Sequence, residues 1–183
     1  MSSDVPGAAH VQPPIEGTSG PDGIDPKLFR RVFGRFATGV TVMTTLSGGH
    51  DHAMTANSVT SVSMDPLQVL ACVHVESRFH DAVLDSGVWG VSILAAGARG
   101  TADWLATRGR PLHGQLDRVP FTRGAATGVA LLDGALAHLE CRTTAVHAAG
   151  DHVIVVAEVV GLAAADTRDP ALVFYRGEYR SLE

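Results

Sequence analysis

Met54-Thr55-Ala56-Asn57-Ser58-Val59-Thr60-Ser61-Val62-Ser63 is the stretch on which the fold turns. An apolar strand pattern precedes it, Gly39-Val40-Thr41-Val42-Met43-Thr44-Thr45, and another follows, Leu67-Gln68-Val69-Leu70-Ala71-Cys72-Val73. Apart from Met54 and Asn57 its residues are small or β-branched, and six of the ten carry a hydroxyl or an amide. Small side chains let a ligand lie close to the backbone, while hydroxyls and peptide N–H groups offer neutral hydrogen bonds. A flat heteroaromatic ring with a polar edge and a phosphorylated tail suits such a surface. The plain alternative is an exposed edge strand rich in Ser and Thr, since Thr and Val favour strands in any case.

Outward from this stretch the order of patterns is consistent with one mainly β domain over 26–183. Asp25-Pro26 has the chemistry of a helix start, Asp as cap and Pro at the first helical position. Leu28, Phe29, Val32, Phe33 and Phe36 then recur at three- and four-residue spacing on one helix face, and Gly39 is expected to end that helix. Val40–Leu46 reads as a strand, 47–51 as a hairpin loop and His52–Ser63 as its return. Leu67–Val75 is an apolar strand, 77–84 a short helix closed by Gly87, Val88–Leu94 a strand, and the region around Ala98–Thr107 a helix. Between Arg108 and Gly128 there is no clear period, so a long loop is expected. Residues 135–148 and 152–165 form two long strand patterns joined at Ala148-Ala149-Gly150-Asp151, and two short strands close the chain. Strands joined this closely leave no room for repeated crossover helices, which favours an antiparallel barrel over a doubly wound sheet.

Composition narrows the function. The chain has 183 residues, 45% of them apolar and 18% charged, with a formal charge of −5. This is ordinary for a soluble globular protein and unlike a nucleic-acid binder. Arg108, Arg110, Arg118 and Arg123 are spaced by Gly, Pro and Asp and read as a solvated loop. No apolar run approaches the roughly 20 residues of a membrane span, and the first residues lack the order of a secretory signal. Residues 1–25 hold four of the nine prolines and few large apolar groups, so they are expected to form a disordered tail. Cys72 and Cys141 sit in apolar strands and read as buried thiols in a reducing, cytoplasmic setting.

The usual nucleotide signatures are missing, neither G-x-G-x-x-G nor G-x-x-x-x-G-K-[ST] being present. Ser77 and Arg78 open a helix with free N-terminal amides and can hold an anion or simply cap the helix. His50 and His52 flank Asp51 in a Gly-rich turn without a third and fourth partner at metal-ligand spacing, so no metal is expected. Gly150-Asp151-His152 puts a His, not needed for turning, at a hairpin tip. Tyr175-Arg176-Gly177-Glu178-Tyr179 gathers both tyrosines around an Arg, which suits a planar anion or an ordinary core edge.

Phe36-Ala37-Thr38-Gly39-Val40-Thr41-Val42, the Met54–Ser63 segment, Gly150-Asp151-His152 and Tyr175-Arg176-Gly177-Glu178-Tyr179 occur in the order found in the short-chain flavin reductases, and residues 27–183 resemble that family throughout. These are the reductase components of two-component flavin monooxygenases. The resemblance implies an FMN-binding split barrel with a few short flanking helices, generally a homodimer. It also implies oxidation of NADH or NADPH, with the reduced flavin (FMN or FAD) passing to a separate monooxygenase. Carried over by position, the flavin site comprises Met54, Thr55, Ala56, Asn57, Ser58, Ser61, Ser63, Cys72, Val73, Ser77, Arg78 and His80. Ser61, Ser77 and Arg78 are the expected phosphate contacts. His152, Tyr175 and Arg176 are expected to face the nicotinamide nucleotide, with Asn57 and His152 as positioning groups. Gly128-Val129-Ala130 stands where family members often have Gly-x-Pro, and 108–127 has no clear counterpart. The reaction needs no catalytic acid or base, because the cofactors carry the reactivity. Two other functions remain compatible with these residues: a flavoprotein with tightly bound FMN acting on an organic substrate, and a non-catalytic flavin- or haem-binding module.

Overall fold

The computed structural model describes residues 23–182. The disordered tail expected over 1–25 therefore lies outside the described residues except for its last three. Helix α1, Pro26–Phe33, starts as its sequence dictates, with the Lys27 amide donating to Asp25 Oδ1 at 2.8 Å. It ends at Gly34, earlier than expected, because the chain turns back there and Thr38–Gly39 (β1) pairs with Leu172–Tyr175 (β11). Among the described residues nothing buries its apolar face. Phe29, Phe33 and Phe36 are 60–66% exposed and pack mainly against one another, with ring centroids 5.8 and 6.0 Å apart.

Strand β2, Thr41–Ser47, and β3, His50–Ala56, form a hairpin whose turn is only Gly48-Gly49, both at positive φ. Two such residues make the turn that matches strand twist. His50 and Asp51 thus belong to the strand, paired with Ser47 and Leu46, and are not loop residues. The return strand expected to run to Ser63 breaks after Ala56. Residues 57–59 cross over, and Thr60–Met64 (β4) pairs with Leu67–His74 (β5) instead.

That break sets the architecture. With Val88–Ile93 as β6, Ala137–Ala149 as β9 and His152–Ala164 as β10, the main sheet has the order β3-β2-β6-β9-β10-β5-β4, every pairing antiparallel. Its two edge strands, β3 and β4, are consecutive in sequence and three residues apart. A seven-stranded sheet whose edges are joined so tightly must curl on itself, which abolishes most of its exposed edge. The concave face carries one core cluster around Trp89, Met43, Val91 and Val155; a second, around Val40, Val42, Leu94 and Leu105, lies under helix α3, Arg99–Ala106. Each fully buried Val or Leu in these clusters contributes about 1.5–3 kcal/mol.

Helix α2, Arg78–Ser86, is capped by the Ser77 side chain and stopped by Gly87 in the left-handed region, as its sequence predicts. The stretch expected to be one long loop, 108–128, supplies Phe121–Arg123 (β7), which pairs with Ala130–Leu132 (β8) just beyond it, each too short for a period-2 pattern to register. Glu178–Ser181 (β12) completes a three-stranded sheet with β11 and β1.

Candidate active site

A cavity of about 450 Å³ opens where β3, the start of α2, the loop after α3 and the start of β10 converge. One wall is the segment that opened the sequence analysis: Met54, Thr55, Ala56, Asn57 and Ser58, with Cys72 from β5 beside them. The hydroxyls of this wall are largely committed to the protein. Thr55 Oγ1 donates to the Ala102 carbonyl at 2.7 Å and so ties β3 to α3. Ser58 Oγ donates to Cys72 O at 3.0 Å and accepts from Cys72 N at 3.3 Å, closing the gap that the strand break leaves. The Asn57 side chain is exposed on the wall and makes no hydrogen bond within the described residues. The wall is therefore smooth and small, with one free amide.

The second wall is cationic. Arg78, Arg108 and Arg110 line it, against one acidic residue, Glu76. Arg78 donates from Nη2 to the Arg110 carbonyl at 2.6 Å. The Arg110 guanidinium turns inward. Its Nη1 donates to the carbonyls of Trp104, Leu105 and Thr107 at 3.3, 2.5 and 2.6 Å, and its Nη2 to Ala53 O at 2.8 Å. Its buried Nε has no partner. Burial first, then the neighbouring Arg78 charge, lower the Arg110 pKa from its ordinary value. Expected as solvated loop charges, Arg110 and Arg123 are in fact structural: Arg123 clamps Asp51 through two hydrogen bonds of 2.6 and 2.8 Å. Local spacing could not reveal this, because their partners lie 57 and 72 residues away for Ala53 and Asp51.

At the other end of the cavity stand His74 and His152. Asp151 Oδ1 is 2.7 Å from His152 Nδ1, and Asp151 Oδ2 is 3.8 Å from His74 Nε2. The Glu76 amide donates to His74 Nδ1, so the His74 proton is on Nε2, facing Asp151. The two rings meet edge to face at 5.0 Å. The hydrogen bond from His152 outweighs desolvation and holds the Asp151 carboxyl below its usual value. His52 also lines the cavity. Burial lowers its pKa, and its Nδ1 is enclosed without a partner.

Of the residues expected at the flavin and nicotinamide sites, the cavity gathers Met54, Thr55, Ala56, Asn57, Ser58, Cys72, Ser77, Arg78 and, from the nicotinamide set, His152. The others are elsewhere in this chain. Ser61 is exposed on β4, and Ser63 accepts from the Asp65 amide in the following turn. Val73 faces the core with no exposure, because residues alternate along β5 and its neighbour Cys72 takes the cavity side. His80 lies within 2.8 Å of Asp81 on α2. Tyr175 and Arg176 sit outside the cavity beside α1, where the Arg176 amide donates to Gly34 O at 2.8 Å and Arg176 adopts φ 53°. Sequence reasoning missed His52, His74, Arg108, Arg110 and Gln115 as cavity residues. Alternation along β3 and β5 could have found His52 and His74, which share strand faces with Met54 and Cys72; nothing local marks the others. Among the described residues, no group of three or more His, Cys, Asp or Glu could hold a metal ion, and no helix is long and apolar enough to cross a membrane.

These features define a class: an antiparallel split barrel with a smooth, small-residue wall for a planar ring and a cationic wall for its anionic tail. The residues present fit a phosphorylated flavin, since Arg78 and Arg108 form no ion pair with a carboxylate among the described residues and the Asn57 amide is uncommitted. Residues 33–183 match the flavin reductase like domain, and the chain belongs to that family. It is 38% identical over 174 residues to the NADH-dependent FAD reductase of Streptomyces globisporus, covering 93% of this chain and 91% of that protein. It is 33% identical over 168 residues to the reductase subunit HsaB of a flavin-dependent monooxygenase of Rhodococcus jostii, covering 92% and 84%. The structure of BorF, the flavin reductase component of a bacterial two-component tryptophan halogenase, superposes with a TM-score of 0.81 at 45% identity, covering 86% of this chain and 98% of BorF.

Proposed function

We propose that this chain is an NADH-dependent flavin reductase whose reduced flavin is used by a separate flavin-dependent monooxygenase. The observation that carries the reading is the union, in one open cavity, of the small-residue wall bearing Asn57, the Arg78 cation and the Asp151-held His152. When bound, the nicotinamide supplies a hydride and the flavin ring accepts it. The protein's contribution is placement. Thr55 and Ala56 leave room along the wall for stacked rings. Asn57 offers a neutral amide toward the charge that develops on the reduced ring. Arg78 balances phosphate at the mouth of α2, where Ser77 already caps the helix and retains its hydroxyl proton for an anion. His152 is fixed by Asp151 at the opposite end and is assigned to the nicotinamide nucleotide. Burial and then Glu140 push the Cys141 thiol up to about 12, so this cysteine takes no part.

A homodimer in the cytoplasm completes the reading. The exposed phenylalanine face of α1 and the exposed Val62 and Met64 on edge strand β4 support self-association. Tyr175 and Arg176, carried by the segment next to α1, are assigned to the nicotinamide nucleotide in that assembly. The deciding experiment is anaerobic NADH oxidation by purified protein with and without added FMN, repeated with FAD and with NADPH. Turnover that requires added flavin is expected. Flavin binding without any NADH oxidation would leave the barrel in place and refute the activity.

A further inference from the structure

The cationic wall holds an arrangement that the reductase chemistry alone does not require. Arg110 joins three elements that surround the cavity. Through Nη1 it covers the last carbonyls of α3, through Nη2 it reaches β3 at Ala53, and its own carbonyl receives Arg78 from the first turn of α2. Capping a helix C-terminus with a cation is a common structural role, and Nη1 fulfils it. The bonds to Ala53 and from Arg78 go beyond capping. Ala53 is on the strand that supplies the ring-binding wall, and Arg78 is the cation at the opening of α2.

Arg78 itself is exposed, and its only hydrogen bond among the described residues is the one to Arg110 O. A free arginine has considerable rotamer entropy, much of which is lost when it engages an anion. A carbonyl held in place by four side-chain hydrogen bonds of its own residue removes part of that loss in advance. Among the described residues Arg78 forms no ion pair with a carboxylate, so its charge remains available to an anion.

We propose that Arg110 is the positioning residue of the phosphate end of the cavity: it locks the Thr107–Arg110 loop onto β3 and presents its carbonyl to hold Arg78 ready for a phosphate ester. The inference rests on the flavin reading of this cavity. It makes selection of phosphorylated flavin over the unphosphorylated ring depend on a side chain that itself touches no ligand.

The test is a binding measurement on the full chain, with riboflavin and FMN as probes and flavin fluorescence quenching as the readout. Arg78→Met, Arg110→Lys and the double variant are compared, with thermal melting to confirm folding. Arg110→Gln, which keeps an NH2 group for the helix carbonyls, replaces Arg110→Lys if that variant does not fold. Arg78→Met is expected to raise the Kd for FMN about tenfold and that for riboflavin less than about twofold, as loss of one charge-assisted contact predicts. Arg110→Lys should shift the FMN-to-riboflavin ratio in the same direction despite keeping its charge. The double variant should be little worse than Arg78→Met alone, because the two residues act through one contact. If Arg110→Lys weakens both ligands equally, or if the two effects multiply, Arg110 is a helix cap only and the proposal fails while the cavity reading stands. If Arg78→Met leaves the ratio unchanged, the phosphate end has been misplaced and the flavin reading of this wall fails with it.

Discussion

Glu140 is buried and Arg110 half-buried, and among the described residues neither has an opposite charge as its partner. Glu140, 6% exposed on β9, accepts from the Ala126 and Thr127 amides and from the Thr127 hydroxyl at 2.7–3.2 Å. Arg110 donates to four carbonyls and keeps one donor without a partner. Both are satisfied by backbone dipoles, which is what makes their burial tolerable. The difference lies in their surroundings. Glu140 sits in a socket shaped by Gly124 and Gly161, where no further ligand can enter, and it closes the β7–β8 loop onto the barrel. Arg110 sits at the cavity and passes its order on to Arg78. A buried charge enclosed by glycines serves the fold, whereas a half-buried one on a cavity wall serves the site.

The largest effect should come from filling the Glu140 socket. A Cβ on Gly124 would overlap the Glu140 carboxylate itself, and the carboxylate cannot withdraw without abandoning three donors. Gly124→Ala is expected to cost about 3 kcal/mol, from overpacking and unpaired polar groups together. For a domain of this size that lowers Tm by roughly 10 °C. Differential scanning calorimetry measures it, and flavin affinity in the folded fraction should be little changed. An unchanged Tm would mean the loop carries no stability.

Glu140→Gln is a milder break with a pH signature. Burial raises the Glu140 pKa, but the Thr127 hydroxyl and the amides of Ala126, Thr127 and Ala125 outweigh it and leave the carboxyl below its ordinary 4.5. A depressed folded pKa contributes stability that is present above 4.5 and is lost as pH falls through the folded value. The wild type should therefore lose stability on the acid side of 4.5 more steeply than Glu140→Gln. At pH 7 the variant should be less stable by about 1–2 kcal/mol. Denaturant melts at pH 7 and at several acid values decide it; parallel curves would remove Glu140 from the acid response.

On the site side, Asn57→Ala should leave Tm within about 1 °C, because the side chain is exposed and makes no internal hydrogen bond. Its flavin-dependent NADH oxidation is expected to fall about tenfold, the loss of one hydrogen bond made to the reacting ring. Steady-state kinetics with added FMN measure it, and wild-type rates would displace Asn57 from the ring wall.

The contrast between these two charges also marks what a sequence makes visible. Helix starts and stops were legible at Asp25-Pro26, Ser77 and Gly87, because caps act within a few residues. The strand order was partly legible from alternation, but the break at Asn57–Val59 was not. The same Ser and Thr residues suit a continuous strand or two strands on opposite edges, and only the closure of the sheet chooses. Arg78, Asn57 and His152, which line the cavity, stood out in the sequence because they lie in motifs. Arg110 and Glu140 were not, since their meaning comes from Ala53 and from residues 126–127, brought close by the barrel. The exposed face of α1 shows the opposite failure. Its periodicity correctly signals an apolar face, but periodicity does not say whether the cover comes from the same chain.

The smallest predicted effect sharpens the comparison most, because it removes a charge that is fully exposed. Asp151 does nothing for the core; its carboxylate orients His152 through a 2.7 Å contact at Nδ1 and faces His74 at 3.8 Å. Asp151→Asn keeps an acceptor for one ring but removes the charge shared by two. His152 should then sample other orientations, and KM for NADH should rise about threefold with kcat nearly constant, as expected when a lost hydrogen bond only orients a binding group. Stability should not move, since an exposed pair of this kind contributes little. A fall in kcat with KM unchanged would instead place Asp151 and His152 at the hydride transfer itself, and the division between ring wall and nucleotide end would have to be redrawn.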